Sequence, residues 1–176
     1  MGLYGFKPQF WRYVLEGSKC HTIRYRRVHP DKPGSTMHLY GNPRQPDSFL
    51  LLAAKCVAVK PIALDRSRIE IEGTKLSRDE RDALAWRDGF RPEGSTAEKP
   101  GRAFDLMAEF WRDSALPLEG SINYWEYPPL WFGVAAELIR MVPGLKEDYA
   151  EVPPVRPQAG DNALLDLMRA WNWGRQ

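Results

Sequence analysis

The run FLLLAAKCVAVKPIAL, residues 49 to 64, constrains the fold more than any other stretch of this chain. It is rich in apolar residues, carries no charge before Lys55, and concentrates its β-branched residues in the second half. Period alone does not separate a buried strand from a buried helix in such a run, but the β-branched half favours a long core strand. A strand of this kind needs neighbours, and the chain supplies them. RIEIEG sets Ile69 and Ile71 against Glu70 and Glu72 and stops at Gly73, as a strand with one wet face does. TMHLYG, behind the loop HPDKPGS, reads as another short strand.

Helices interrupt these strands. In KPQFWRYVLEG, Phe10, Trp11, Val14 and Leu15 recur at helical spacing, and Gly17 stands where a left-handed cap ends a helix. Ser77 followed by Glu80 is a capping-box pattern, which predicts a helix through ERDALAWRDG to Gly89. GRAFDLMAEFWRDSA places Phe104, Met107, Phe110 and Trp111 on one stripe. WFGVAAELIRM then returns to apolar strand character. With no regular βαβ rhythm, this order predicts an α+β fold or small mixed barrel rather than a doubly wound sheet. A chain of 176 residues, 43% hydrophobic, suffices for one such core and is short for two.

After Met141 the composition changes. Prolines at 143, 153, 154 and 157 precede NALLDLMRAWNW, an amphipathic helix pattern. The division expected is a folded domain over 1–141 and a Pro-rich linker with a helix over 142–176. That helix either wraps back onto the body or offers Leu164, Leu165, Leu167, Met168, Trp171 and Trp173 to a protein partner.

The formal charge of +2 identifies no nucleic-acid binder by itself, so only a local basic patch could. Two cysteines, Cys20 and Cys56, fall short of a disulfide framework, and the three histidines are not at metal-ligand spacing with them. Reduced thiols, no metal and no cofactor are expected. No stretch reaches the roughly 20 apolar residues of a membrane span, and the first residues lack the apolar run of a signal peptide, so a cytoplasmic protein is the simplest expectation.

The local basic patch is EGSKCHTIRYRR, residues 16 to 27. Read as a strand from Lys19 to Arg24, it points Cys20, Thr22 and Arg24 one way and Lys19, His21 and Ile23 the other. Lys19, Arg24, Arg26 and Arg27 would serve equally as charges that protect an edge strand or as contacts to an anionic ligand. Tyr25 and Tyr40, with Trp86, are of the type that stacks on bases, although core packing is the commoner use of aromatics. The aromatic segment NYWEYPPLWF, residues 123 to 132, suits either a cleft-lining loop or a structural plug.

Gly17, Lys19, Thr22 and Arg24 form G-x-K-x-x-T-x-R directly after a helix, which resembles the signature of ASCH domains, the PUA-like small β-barrels. LAWRDGF, with Asp88, Gly89 and Phe90, is similar to a second ASCH landmark in which an acidic residue stands at a helix end. The resemblance covers residues 2 to about 140. It implies a PUA-like mixed β-barrel flanked by short helices, with a cleft lined by the strand of the first motif that takes RNA or a nucleoside; with the basic cluster and the stacking aromatics, the residues expected to bind RNA, single-stranded nucleic acid or a modified nucleoside are Lys19, Arg24, Arg26, Arg27, Tyr25 and Tyr40. It also implies a hydrolase alternative, since the family includes an amidohydrolase acting on N4-acetylcytidine and members reported as ribonucleases. By that resemblance Lys19 would be the base, Thr22 the nucleophile and Asp88 their acidic partner, one methylene shorter than the usual glutamate. A threonine hydroxyl needs a neighbour to take its proton, and a lysine can do so when burial or nearby cations lower its pKa. The cations expected to act here are Arg24 and Arg26. An ideal strand, however, sends Lys19 and Thr22 to opposite faces, so a bulge or the turn after Gly17 must reunite them.

Overall fold

The structure, a computed structural model, describes residues 2–114, 116–128 and 131. Its elements run β1 (Gly2–Phe6), α1 (Pro8–Leu15), β2 (His21–Tyr25), β3 (Thr36–Gly41), β4 (Phe49–Leu64), β5 (Ile69–Ile71), β6 (Thr74–Lys75), α2 (Arg78–Arg87), α3 (Ala103–Phe110) and β7 (Leu118–Glu126). The architecture is mixed α+β: a curled half-barrel sheet with three short helices. The apolar strand expected over WFGVAAELIRM and the linker and helix expected over 142–176 lie outside the described residues, Trp131 excepted.

β4 is the axis of the sheet. A strand of 16 residues would run about 50 Å if straight, longer than the core of a domain this size, so it must curl and change partners along its length. Its first half pairs antiparallel with β3, from Gly41 opposite Phe49 to Thr36 opposite Lys55. β7 runs antiparallel to β4 from Lys55 opposite Glu126 to Leu64 opposite Leu118. β5 takes only Ile62 to Leu64, and β6 pairs with β5. The register shifts between Cys56 and Ala58 on β4 and between Leu39 and Tyr40 on β3. Such irregularities bend strands and increase twist. β1 lies parallel to β3, and β2 lies antiparallel to β7.

Curling brings the two outer strands, β1 and β2, back toward each other. Among the described residues β1 pairs with β3 alone and β2 with β7 alone, and side chains close the gap. The guanidinium of Arg24 donates to the Gly5 carbonyl at 2.7 Å, and that of Arg27 to the Leu3 carbonyl at 2.6 Å. Arg27 also lies over the Tyr4 ring at 4.3 Å and 3.4 Å from Asp31, which accepts a hydrogen bond from the Tyr4 hydroxyl. Residues read in the sequence as edge-strand charges thus tie one edge to another.

The helices close the open side. Proline in its first turn suits α1, and the helix buries Phe10, Trp11, Val14 and Leu15. α2 begins on the capping box: Glu80 N–H donates to Ser77 Oγ, and Ser77 N–H donates to Glu80 Oε2 at 2.7 Å. α3 lacks a cap of its own and borrows one from α2, since the buried Asp82 carboxylate accepts the Phe104 N–H at 2.9 Å. Its stripe sinks Phe104 and Met107 into the core and leaves Phe110 and Trp111 half-buried.

Three strands escaped the sequence reading: β1, the two-residue β6 and β7. β1 is only five residues long with glycines at 2 and 5, and its alternation is short. In NYWEYPPLWF, residues 123 to 126 finish β7. The next described residues act as the plug: Tyr127 donates its hydroxyl to the carbonyls of Val14 and Lys19 at 2.9 and 2.5 Å, and the Trp131 indole donates to the Leu15 carbonyl at 3.1 Å. The free thiol Cys56 is buried and Cys20 half-buried.

The β2–β7 ladder depends on a bare backbone at Gly120, opposite Tyr25, where an added Cβ would fall 1.9 Å from the Arg24 carbonyl oxygen. We expect Gly120→Ala to lower the urea midpoint by the equivalent of about 1–3 kcal/mol, the cost of forcing volume into a packed site. Gly34→Ala, with open space around it and a φ of 86°, should lose roughly 1 kcal/mol from backbone strain alone.

Candidate ligand-binding cleft

Lys19 owes its position to the turn that ends α1. Gly17 adopts φ 80°, and the Lys19 N–H bonds back to the Tyr13 carbonyl at 2.9 Å, so residues 18 to 20 enter β2 without being part of it. The odd spacing that would send Lys19 and Thr22 to opposite faces therefore does not apply. Thr22 and Arg24 share a face of β2 by their spacing of two, and the turn swings Lys19 into the same cleft.

Asp88 comes from the other side of the chain, as the cap residue of α2, followed by Gly89 at φ 103°. Its Oδ1 stands 2.5 Å from the Lys19 ammonium, which also donates to the Asp88 backbone carbonyl. Using both oxygens of one residue lets the shorter acid reach. The two residues are 1% and 5% exposed, so this is an ion pair removed from water. Arg91 braces the backbone on either side of it. Its guanidinium is sandwiched between the rings of Tyr13 and Trp86 at 3.9 and 4.0 Å and bonds Ser18 Oγ at 2.6 Å and Glu16 at 3.1 Å.

Burial is the main cause that lowers the Lys19 pKa; Asp88 opposes the shift, and Arg24 adds to it. Arg26, expected from the sequence to contribute, is exposed and takes no part. His21 lies behind the pair, its Nε2 3.7 Å from Asp88 Oδ1 and without a hydrogen-bond partner. Burial, with Lys19 and Arg87 adding to it against the pull of Asp88, pushes the imidazole down to about 4, so it is neutral at physiological pH.

The cleft has a volume of about 420 Å³. Lys19, Thr22, Arg24 and Asp88 line it together with Phe6, Phe10, Phe90, Phe110 and Trp111. Tyr25 also lines it, 45% exposed and edge-on to Trp111 at 5.9 Å. The Lys19 ammonium lies 5.2 Å from the centre of the Phe10 ring, and the Arg24 guanidinium lies 5.2 Å from that of Phe6. Fixed donors, one carboxylate and a set of ring faces are what a planar polar ligand requires.

The other candidates named from the sequence lie elsewhere. Arg26 and Arg27 line a separate hollow of about 750 Å³ with Glu70 and Glu119, and Tyr40 lines a third of about 440 Å³ with Leu3 and Arg44. Trp86 is engaged by Arg91 and by Ser95 Oγ. The aromatic lining was not foreseen, although Phe110 and Trp111 continue the α3 stripe beyond the part that the core consumes, and Phe90 sits within the second landmark. No group of three or more potential metal ligands occurs among the described residues.

No family model matches the chain, and neither the curated proteins nor the solved structures contain a match to it.

Two outcomes test this geometry. Between pH 6.5 and about 4 the unfolded chain protonates His21 while the native state does not, so stability falls as pH drops through that window. The loss should be on the order of 3 kcal/mol, and His21→Gln should flatten it in thermal melts recorded across the window. Lys19→Met strands the Asp88 carboxylate in the interior and should cost about 3–5 kcal/mol in urea unfolding, with part recovered when Asp88→Asn is added.

Proposed function

We propose that this chain is an ASCH-type, PUA-like domain that binds RNA or a modified nucleoside in the cleft around Lys19. The observation that carries the reading is convergence: Lys19, Thr22 and Arg24 of the first motif and Asp88 of the second line one aromatic cleft. Lys19 and Asp88 are 69 residues apart in the chain. The volume of about 420 Å³ lies within the range of small-molecule sites, roughly 300–1,000 Å³, and suits one nucleoside better than a long duplex. Ring faces supply stacking, and Thr22 and Asp88 supply the acceptors and donors that read a base edge. Among the described residues no helix is long and apolar enough to cross a membrane, and both cysteines are free, which fits work in a reducing compartment such as the cytoplasm.

A hydrolase on the same cleft is favoured by one further observation, the lowered pKa of Lys19 beside Thr22. In that reading the unprotonated form of Lys19, which burial favours and Asp88 opposes, accepts the Thr22 proton, and the hydroxyl oxygen attacks the carbonyl carbon of an acylated exocyclic amine. Arg24 stabilises the developing oxyanion, the amine leaves with the proton from Lys19, and water then releases the acyl group from Thr22.

Calorimetric titration with cytidine, N4-acetylcytidine and a short single-stranded RNA tests binding, and chromatography of the same mixtures tests turnover. Binding should weaken about tenfold or more in Thr22→Val and Arg24→Gln, and RNA affinity should fall steeply with salt. Absence of heat with every ligand would sink the binding reading. Deacetylation by the wild type that is lost in Thr22→Val would establish the hydrolase.

A further inference from the structure

We infer that the ligand of this cleft carries a phosphoryl group, so that its natural occupant is a nucleotide unit rather than a neutral nucleoside. The inference rests on the reading of the cleft as a nucleoside site and adds the charge that the ligand must bring.

The argument starts from the balance of charge. Lys7, Lys19 and Arg24 line the cleft, and among the described residues Asp88 is its sole carboxylate. That carboxylate is already committed to Lys19 at 2.5 Å. His21, 3.7 Å from Asp88, is buried and neutral, and the other titratable groups acting on Arg24 are Arg27 and Tyr4, neither of them an anion. Arg24 is therefore left with a backbone carbonyl, Gly5 O at 2.7 Å, and the faces of Phe6 and Tyr4. Arg24 is half-buried with its Nε covered, and the carboxylate whose charge acts on it, Asp88, is shared with Lys19, whereas a guanidinium out of water ordinarily has a carboxylate of its own. Arg91 has Glu16 at 3.1 Å and Arg27 has Asp31 at 3.4 Å, whereas no described carboxylate lies within 4.0 Å of Arg24.

Two donors point to the same conclusion. The Arg24 Nε–H and the Trp111 Nε1–H are buried without an acceptor among the described residues, and both belong to side chains that line the cleft. Buried donors without acceptors are costly, and so is an unbalanced buried cation. A ligand rich in acceptor oxygens and carrying negative charge removes both costs at once. Phosphate matches best, because arginine presents paired donors in a plane and Lys7, exposed and 4.6 Å from the centre of the Phe110 ring, adds a point charge. The hollow at Arg26 and Arg27 lacks this imbalance, since Glu70 and Glu119 line it beside its two arginines.

The phosphoryl group could belong to a free mononucleotide or to the phosphodiester of an RNA strand, and one titration series separates them. The full chain is titrated with a nucleoside, its 5′- and 3′-monophosphates, a dinucleoside monophosphate and inorganic phosphate. The better monophosphate should bind at least about tenfold tighter than the nucleoside. That ratio should collapse in Arg24→Gln and shrink in Lys7→Gln, whose exposed position leaves folding untouched, and it should shrink again in high salt. Tighter binding of the dinucleoside than of either monophosphate assigns the phosphodiester; the reverse assigns the free nucleotide. Equal affinity of nucleoside and monophosphates would overturn the inference while leaving the nucleoside reading intact. If no nucleoside or nucleotide binds, that reading fails by itself. Inorganic phosphate that raises the melting temperature of the wild type and not of Arg24→Gln would then still support the anion site, and no shift would overturn it too.

Discussion

The contact between Lys19 and Asp88 is the constraint on which the rest of the site depends. It joins the turn after α1 to the end of α2, two segments with no strand pairing between them, and does so where water is excluded. A buried ion pair adds little net stability compared with apolar packing, yet losing one member is expensive. Such a pair therefore selects a geometry more than it strengthens a fold. Here the geometry is maintained from outside by Arg91 between its two rings, by Tyr127 on the Lys19 carbonyl and by the Trp131 indole on Leu15.

The sheet shows a related economy. β4 is too long to stay flat, so it curls, and curling leaves β1 and β2 facing each other without a ladder. Arg24 and Arg27 span that seam to backbone carbonyls. Arg24 serves both as a tie across the half-barrel and as a wall of the cleft. The charge that the seam requires is thus delivered to the place where a ligand would lie, and the wall facing it is apolar and aromatic. Low polarity there strengthens every charge left inside.

Much of the fold was legible in the sequence because its signals are local. The capping box at Ser77 and Glu80, the helical spacing of Phe10 to Leu15 and the left-handed glycine at 17 each act within a turn or two of chain, and each element formed where its pattern lay. The full length of β4 was visible for the same reason. β1 was missed because five residues with two glycines carry too short an alternation, and the strand in NYWE was hidden by the prolines that follow it. In the site, the grouping of Lys19, Thr22, Arg24 and Asp88 was expected only through the resemblance of the two motifs to a known family, since spacing alone sent Lys19 and Thr22 to opposite faces. The aromatic lining was not expected, since Phe6, Phe90 and Trp111 look in one dimension like any other core residues.

By itself the sequence determined the three helices and the strands β2 to β5, where α1 and α2 stop, and that a lysine, a threonine and an arginine cluster beside a helix end. Those outcomes depend on backbone preferences and on side-chain period over a few residues. Only the tertiary structure decided that Lys19 and Thr22 enter one cleft despite their odd spacing, that Arg26, Arg27 and Tyr40 lie in other hollows, and that no described carboxylate comes within 4.0 Å of Arg24. These depend on how far β4 curls and on what packs across the gap, and such distances arise between residues remote in the chain, where no local pattern can encode them.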